Sequence, residues 1–105
     1  MKTVITSREN HTDSLMDPRF GRCAFFCLYD EDTRETSFLE NAGKEQSGGA
    51  GTLAAEKMIE LGVKKVLSGD FGPKAKDLLD KFGIQMVVIR DHNQKISDLI
   101  AKLQG

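Results

Sequence analysis

Two hydrophobic periods divide the chain. Thr3-Val4-Ile5-Thr6 is a short β-branched run and predicts a first strand. A polar stretch from Ser7 to about Arg22 follows, the longest irregular segment, and loops of that length in a compact domain are usually functional or mobile. Cys23 to Tyr29 is apolar on both faces, which predicts a strand covered on both sides. Glu31-Asp32-Thr33 reads as a hairpin turn, and Glu35 to Glu40 returns as a more polar, edge-type strand.

After Asn41 the period becomes helical. Gly48-Gly49-Ala50-Gly51-Thr52 leads into Leu53, Ala54, Met58 and Leu61, one face of a helix that Gly62 stops. Val63 to Leu67 is a strand, Gly69 to Gly72 a turn, and Pro73 suits the first turn of a second helix. Ala75, Leu78, Leu79 and Phe82 are expected on its buried face, with Gly83 at its end. Ile84 to Ile89 is nearly all apolar, typical of a buried parallel strand. Asp91-His92-Asn93 turns into a last helix with Ile96, Leu99, Ile100 and Leu103 on one side.

The order β-β-β-α-β-α-β-α is a strand meander followed by two crossovers, which place the last two strands parallel to the first. The economical arrangement is a mixed α/β sheet of order 3-2-1-4-5 with strand 2 antiparallel. The reversal between strands 1 and 4 is a topological switch point, where open α/β sheets generally bind ligands. The loop through Asp17 to Arg22, the Gly48–Thr52 helix start, the Gly69–Pro73 turn and the Arg90–Asn93 turn share that edge. The opposite edge has only the Glu31–Thr33 hairpin and the Gly62 and Gly83 helix stops.

Composition narrows the function classes. A chain of 105 residues suits one domain, 1–105, without a staple. Hydrophobic residues at 39% and charged residues at 30% are those of a globular protein. A net charge of -1 gives no argument for nucleic acid or an anionic membrane. No apolar stretch suits a signal peptide or a spanning helix, so a cytoplasmic protein is expected, as a monomer or weak dimer.

Gly48-Gly49-Ala50-Gly51 opens a helix with free N–H groups and no side chains in the way, which attracts anions. It is neither a dinucleotide fingerprint nor a Walker A loop, and close packing against the sheet explains it equally. Gly69-Asp70-Phe71-Gly72-Pro73 reads equally as a tight turn. Cys23 and Cys27 are too few for a disulfide framework, and four strand positions separate them by about 13 Å, too far to chelate one ion. Cys27 reads as a small buried hydrophobe. Cys23 reads as a packing residue at the rim, where Arg22 could lower its thiol pKa. His11 and His92 read as solvated residues on the functional edge. Strand 1 carries no carboxylate for two-metal nuclease chemistry, and no hydrolase triad is visible, so nothing demands catalysis.

Asp17-Pro18-Arg19-Phe20-Gly21-Arg22, followed by an aromatic strand ending Tyr29-Asp30, resembles the dinitrogenase iron–molybdenum cofactor biosynthesis family. The likeness continues through Asn41, Gly49-Ala50-Gly51, Gly62-Val63, Gly69, Gly72-Pro73 and Gly83-Ile84. It implies a ribonuclease H-like three-layer fold. It also implies a non-enzymatic carrier of an iron–sulfur or iron–molybdenum cluster or precursor, of the kind that serves nitrogenase assembly, apo as purified where no cluster is supplied. Donor and acceptor proteins are the implied partners. Where cluster-carrying members have a histidine before Phe-Gly, this chain has Arg19, which cannot ligate iron but can pair with an anion. The residues implied for cargo are Arg19, Phe20, Gly21, Cys23, Gly48, Gly49, Ala50, Gly51 and Gly72, with Cys23, His11 and His92 as the candidate metal ligands. The competing reading is a module that binds a phosphate-bearing or other small anion, or a partner protein, in a regulatory role.

Overall fold

The computed structural model describes residues 1–104. The elements are β1 Lys2–Ser7, β2 Phe25–Asp30, β3 Thr36–Glu40, α1 Ala50–Leu61, β4 Lys65–Ser68, α2 Pro73–Lys81, β5 Gln85–Val88 and α3 Ile96–Leu103. They build a five-stranded sheet of order β3-β2-β1-β4-β5. Strand β2 is antiparallel to β1 and β3, and β4 runs parallel to both β1 and β5. The expected order and directions are therefore observed.

The pleat sorts the core into two layers. Val4 joins Phe26 and Val66 under Ala54 and Met58 of α1 and Leu79 of α2. Its neighbour Ile5 points the other way and joins Cys27, Tyr29 and Leu67 against Ile96 and Leu99 of α3. Both β1 side chains are wholly buried, each contributing about 1.5–3 kcal/mol of transfer free energy. Small residues bring the helices close: a Cβ on Gly51 of α1 would lie 3.4 Å from the Ala75 Cβ of α2.

Three expectations are corrected. Strand β2 begins at Phe25, so Cys23 belongs to the preceding turn. Strand β5 is a half-exposed edge, with Val88 at 52%, because no strand lies outside it. Phe82 is also exposed at 52%. Helix α2 ends at Lys81, and Phe82, as its C-cap, leaves the helical path before its ring can follow Leu79 inward. Among the described residues no helix is long and apolar enough to cross a membrane.

Candidate functional site

The long polar loop is tied down at several points. Ser7 bridges Met16, Leu15 bridges Lys95, and Arg19 bridges Asp70. At the end of β1 the buried Thr6 hydroxyl donates to the Asp17 carbonyl and lies 2.9 Å from the Ser68 hydroxyl. Pro18 covers Gly69 so closely that a Cβ there would stand 2.7 Å from the Pro18 Cβ and 2.9 Å from His92 Nε2. The loop thus fills the crevice between the ends of β1 and β4. The switch point, where topology placed a ligand, is occupied by the chain itself.

An open cleft of about 480 Å³ lies beside it, between the starts of α1 and α2. Its walls are Arg19 to Arg22, Gly49 to Thr52, and Asp70 to Ala75. Gly49 (φ 77°) and Gly72 (φ 75°, ψ 156°) hold backbone conformations that favour glycine, and neither helix start has a side-chain cap or an acidic first turn. The first helical bonds are Leu53 N–H to the Gly49 carbonyl and Lys76 N–H to the Gly72 carbonyl. The amides of Ala50, Gly51, Thr52, Lys74 and Ala75 therefore precede both ladders, and both positive helix ends lie at one cleft. The floor is aromatic: Phe20 packs on Phe71 at 5.2 Å and on Phe26 at 6.3 Å between ring centroids.

Gly21 sets the separation of the walls. A Cβ on it would meet Gly51 N at 2.7 Å and the Ala50 carbonyl carbon at 2.9 Å, so loop backbone lies directly on helix backbone. The buried Asn41 amide donates to the carbonyls of Gly21, at 3.1 Å, and Cys23, at 2.9 Å.

The three cations of the cleft are differently engaged. Arg19 donates through Nε and Nη2, each at 3.1 Å, to the two oxygens of the buried Asp17 carboxylate. These hydrogen bonds, and then the Asp17 charge, raise the Arg19 pKa. Arg22 Nη1 donates to the carbonyls of Lys44 and Gln46. Lys74 has no ion-pair or hydrogen-bond partner for its ammonium among the described residues.

The cleft gathers Arg19, Phe20, Gly21, Gly49, Ala50, Gly51 and Gly72 of the expected residues, and leaves out Cys23, Gly48, His11 and His92. Cys23 is in the core rather than at the rim, with its thiol donating to the Phe20 carbonyl. Burial, and secondarily the Asp17 charge, push that thiol up to about 12, so the packing reading of Cys23 holds and the lowering that Arg22 could give does not occur. Cys27 sits in the opposite core layer, also pushed up to about 12 by burial. His11 is exposed beside Glu9, at 3.1 Å, and His92 packs near Gly69. No group of three His, Cys, Asp or Glu side chains able to hold a metal ion occurs among the described residues.

Sequence reasoning missed Lys74. Its position was readable, directly after the proline expected in the first turn of the second helix, but nothing in the sequence sets it apart from the other lysines. The donors in the cleft, backbone N–H and ammonium, suit an anion rather than a bare cation.

Residues 1–105 match the family model described as dinitrogenase iron-molybdenum cofactor. Among solved structures, the apo form of the orange protein from Desulfovibrio gigas is 31% identical with a TM-score of 0.88, over 96% of this chain and 84% of that one. A NifB-type protein of the DUF35 family from Thermotoga shares the fold at 19% identity and a TM-score of 0.80, over 95% and 84% of the two chains. A search of curated proteins gives no match.

Proposed function

We propose that this chain, which belongs to the dinitrogenase iron–molybdenum cofactor family, is a non-enzymatic binding protein that holds an anionic iron–sulfur or iron–molybdenum type cluster, or a precursor, for transfer between a donor and an acceptor protein. The cleft between the starts of α1 and α2 is the proposed seat. The observation that carries the reading is the pairing of two uncapped helix starts around one cleft with the unpartnered Lys74 ammonium. The cleft offers no soft ligand, since the Cys23 thiol is buried and protonated. The cargo must therefore bring its own sulfide ligands and be held through them, by backbone N–H groups, Lys74 and the unused edge of Arg19.

The test is anaerobic incubation with iron, sulfide and molybdate, and separately with tetrathiomolybdate, followed by desalting, metal analysis and visible spectroscopy. Bound chromophore that survives desalting, is retained by Cys23→Ser and is lost in Lys74→Ala supports the reading. Absence of bound metal, or loss in Cys23→Ser alone, overturns it. The same cleft chemistry suits phosphate, so inorganic phosphate and ATP form the competing arm: amide shifts at Gly49–Thr52 that move with these and not with tetrathiomolybdate favour a phosphate-binding module.

A further inference from the structure

Asn41 lies outside the cleft, yet its backbone and both polar ends of its side chain are hydrogen-bonded to the segments that shape it. Its backbone N–H donates to the Ala24 carbonyl at 3.0 Å, and its side-chain oxygen accepts from Gly43 N–H at 3.1 Å. Its amide nitrogen reaches the Gly21 and Cys23 carbonyls together. Arg22 crosses the same gap in the opposite direction, from the loop to the Lys44 and Gln46 carbonyls. The 21–24 turn and the 41–46 turn are thus laced together from both sides. Gly21, the residue pulled by Asn41, is the one whose backbone rests on the start of α1.

We propose that Asn41 is a positioning residue for the cargo cleft, fixing the Gly21 turn against the Gly51 amide so that the α1 amides and the α2 start keep the spacing an anion needs. This rests on the cleft being the binding site. Asn41 touches no cargo; its action runs through the Gly21 and Cys23 carbonyls. The side chain is buried and both its polar ends are used. Removing it strands two carbonyls and one N–H behind the loop, so the loop moves to find water. Arg22 is assigned the same role on the outer side, which takes it out of the set of cargo-binding cations.

The experiment compares Asn41→Ala and the milder Asn41→Ser with Leu103→Ala, a half-buried α3 change in the opposite core layer that serves as a stability control. Tetrathiomolybdate affinity is expected to fall about tenfold in the Asn41 variants and to stay within about twofold of wild type in Leu103→Ala. Amide shifts and hydrogen exchange of Gly21, Gly51 and Thr52 in the protein without cargo are expected to change only in the Asn41 variants. Equal losses of affinity in all three variants would mean a general stability effect and overturn the proposal. Unchanged amides at Gly21 and Gly51 overturn it as well, whatever the cargo proves to be. If wild type fails to bind tetrathiomolybdate, the cluster reading fails, while the amide comparison still decides the role of Asn41.

Discussion

Replacing Gly21 by alanine isolates the contact on which the cleft is built. The new methyl carbon would lie 2.7 Å from Gly51 N and 2.9 Å from both the Gly51 Cα and the Ala50 carbonyl carbon. Ordinary carbon contacts begin near about 3.5 Å, so the gap must widen by most of an ångström. All three clashing atoms are backbone within the first turn of α1, so no side-chain rotation relieves them. Overpacking of this kind costs about 1–3 kcal/mol. For a domain of this size each kcal/mol lowers Tm by about 4–8 °C. Gly48→Ala is the matched control: its Cβ would meet nothing within 4 Å, and its φ lies outside the left-handed region, so stability stays level or rises slightly. Gly49→Ala lies between them, with open space but φ of 77°, and loses about 1–2 kcal/mol. Urea unfolding followed by circular dichroism ranks the three. Equal stability of Gly21→Ala and wild type would show that the loop does not rest on α1, and a loss in Gly48→Ala as large as in Gly21→Ala would refute the steric reasoning.

Asp17→Ala removes the acceptor of three Arg19 hydrogen bonds, one from the backbone and two from the guanidinium. A loss of about 1–3 kcal/mol in the same unfolding assay is expected, smaller than for a fully buried pair because Arg19 is largely exposed. Lys74→Ala is expected to weaken tetrathiomolybdate binding with no loss of stability, whereas Arg22→Ala lowers stability as well, since its guanidinium holds the 44–46 turn. Burial raises both thiols from 9.0 to about 12, so the folded state favours the neutral thiol; that contribution is complete below pH 9 and is lost as the pH climbs toward 12. At pH 10 each thiol ionising in the unfolded chain favours unfolding by about 1.4 kcal/mol, so between pH 8 and 10 wild type should lose about 2–3 kcal/mol more than the Cys23→Ala/Cys27→Ala double variant. Parallel pH profiles of the two proteins would disprove it.

The fold was legible because its signals are local and repeated. Val4-Ile5 alternation, the helical spacing after Gly51 and Pro73 at a helix start each specify one element, and handedness rules then leave one economical sheet order. What was not legible depends on contacts between distant segments. Cys23 looked like a rim residue because it adjoins polar Arg22, but Asn41, eighteen positions away in sequence, draws that turn inward. Phe82 kept helical spacing past the point where the helix stops. Within the site, the glycines announced a close approach without saying to what; the pairing of Gly21 with Gly51 crosses thirty positions. Lys74 was overlooked since a single lysine carries no pattern, and it gains meaning only when both helix starts are seen to share a cleft.

Filling of the switch point by the chain's own loop has a consequence for how a cargo would be held. Thr6, Ser68 and Asp17 satisfy one another beneath Pro18, so no buried polar group is left there to bind anything. The donors that remain stand at the two helix starts, near solvent, and act by hydrogen bonding and charge. Such holding is screened by salt, whereas a metal–thiolate or metal–imidazole bond is not. Tetrathiomolybdate affinity should therefore fall steeply as sodium chloride rises from about 0.05 to 0.5 M, a range in which the Debye length shrinks about threefold and chloride competes directly for the amides and Lys74. Arg19, paired to Asp17, offers one free edge and no lone pair, so substituting it by histidine should add a coordinating nitrogen at the cleft wall and flatten that salt dependence. Salt-insensitive binding in the wild-type protein would mean that a side chain coordinates the metal, and the outer contacts assigned here would be the wrong ones.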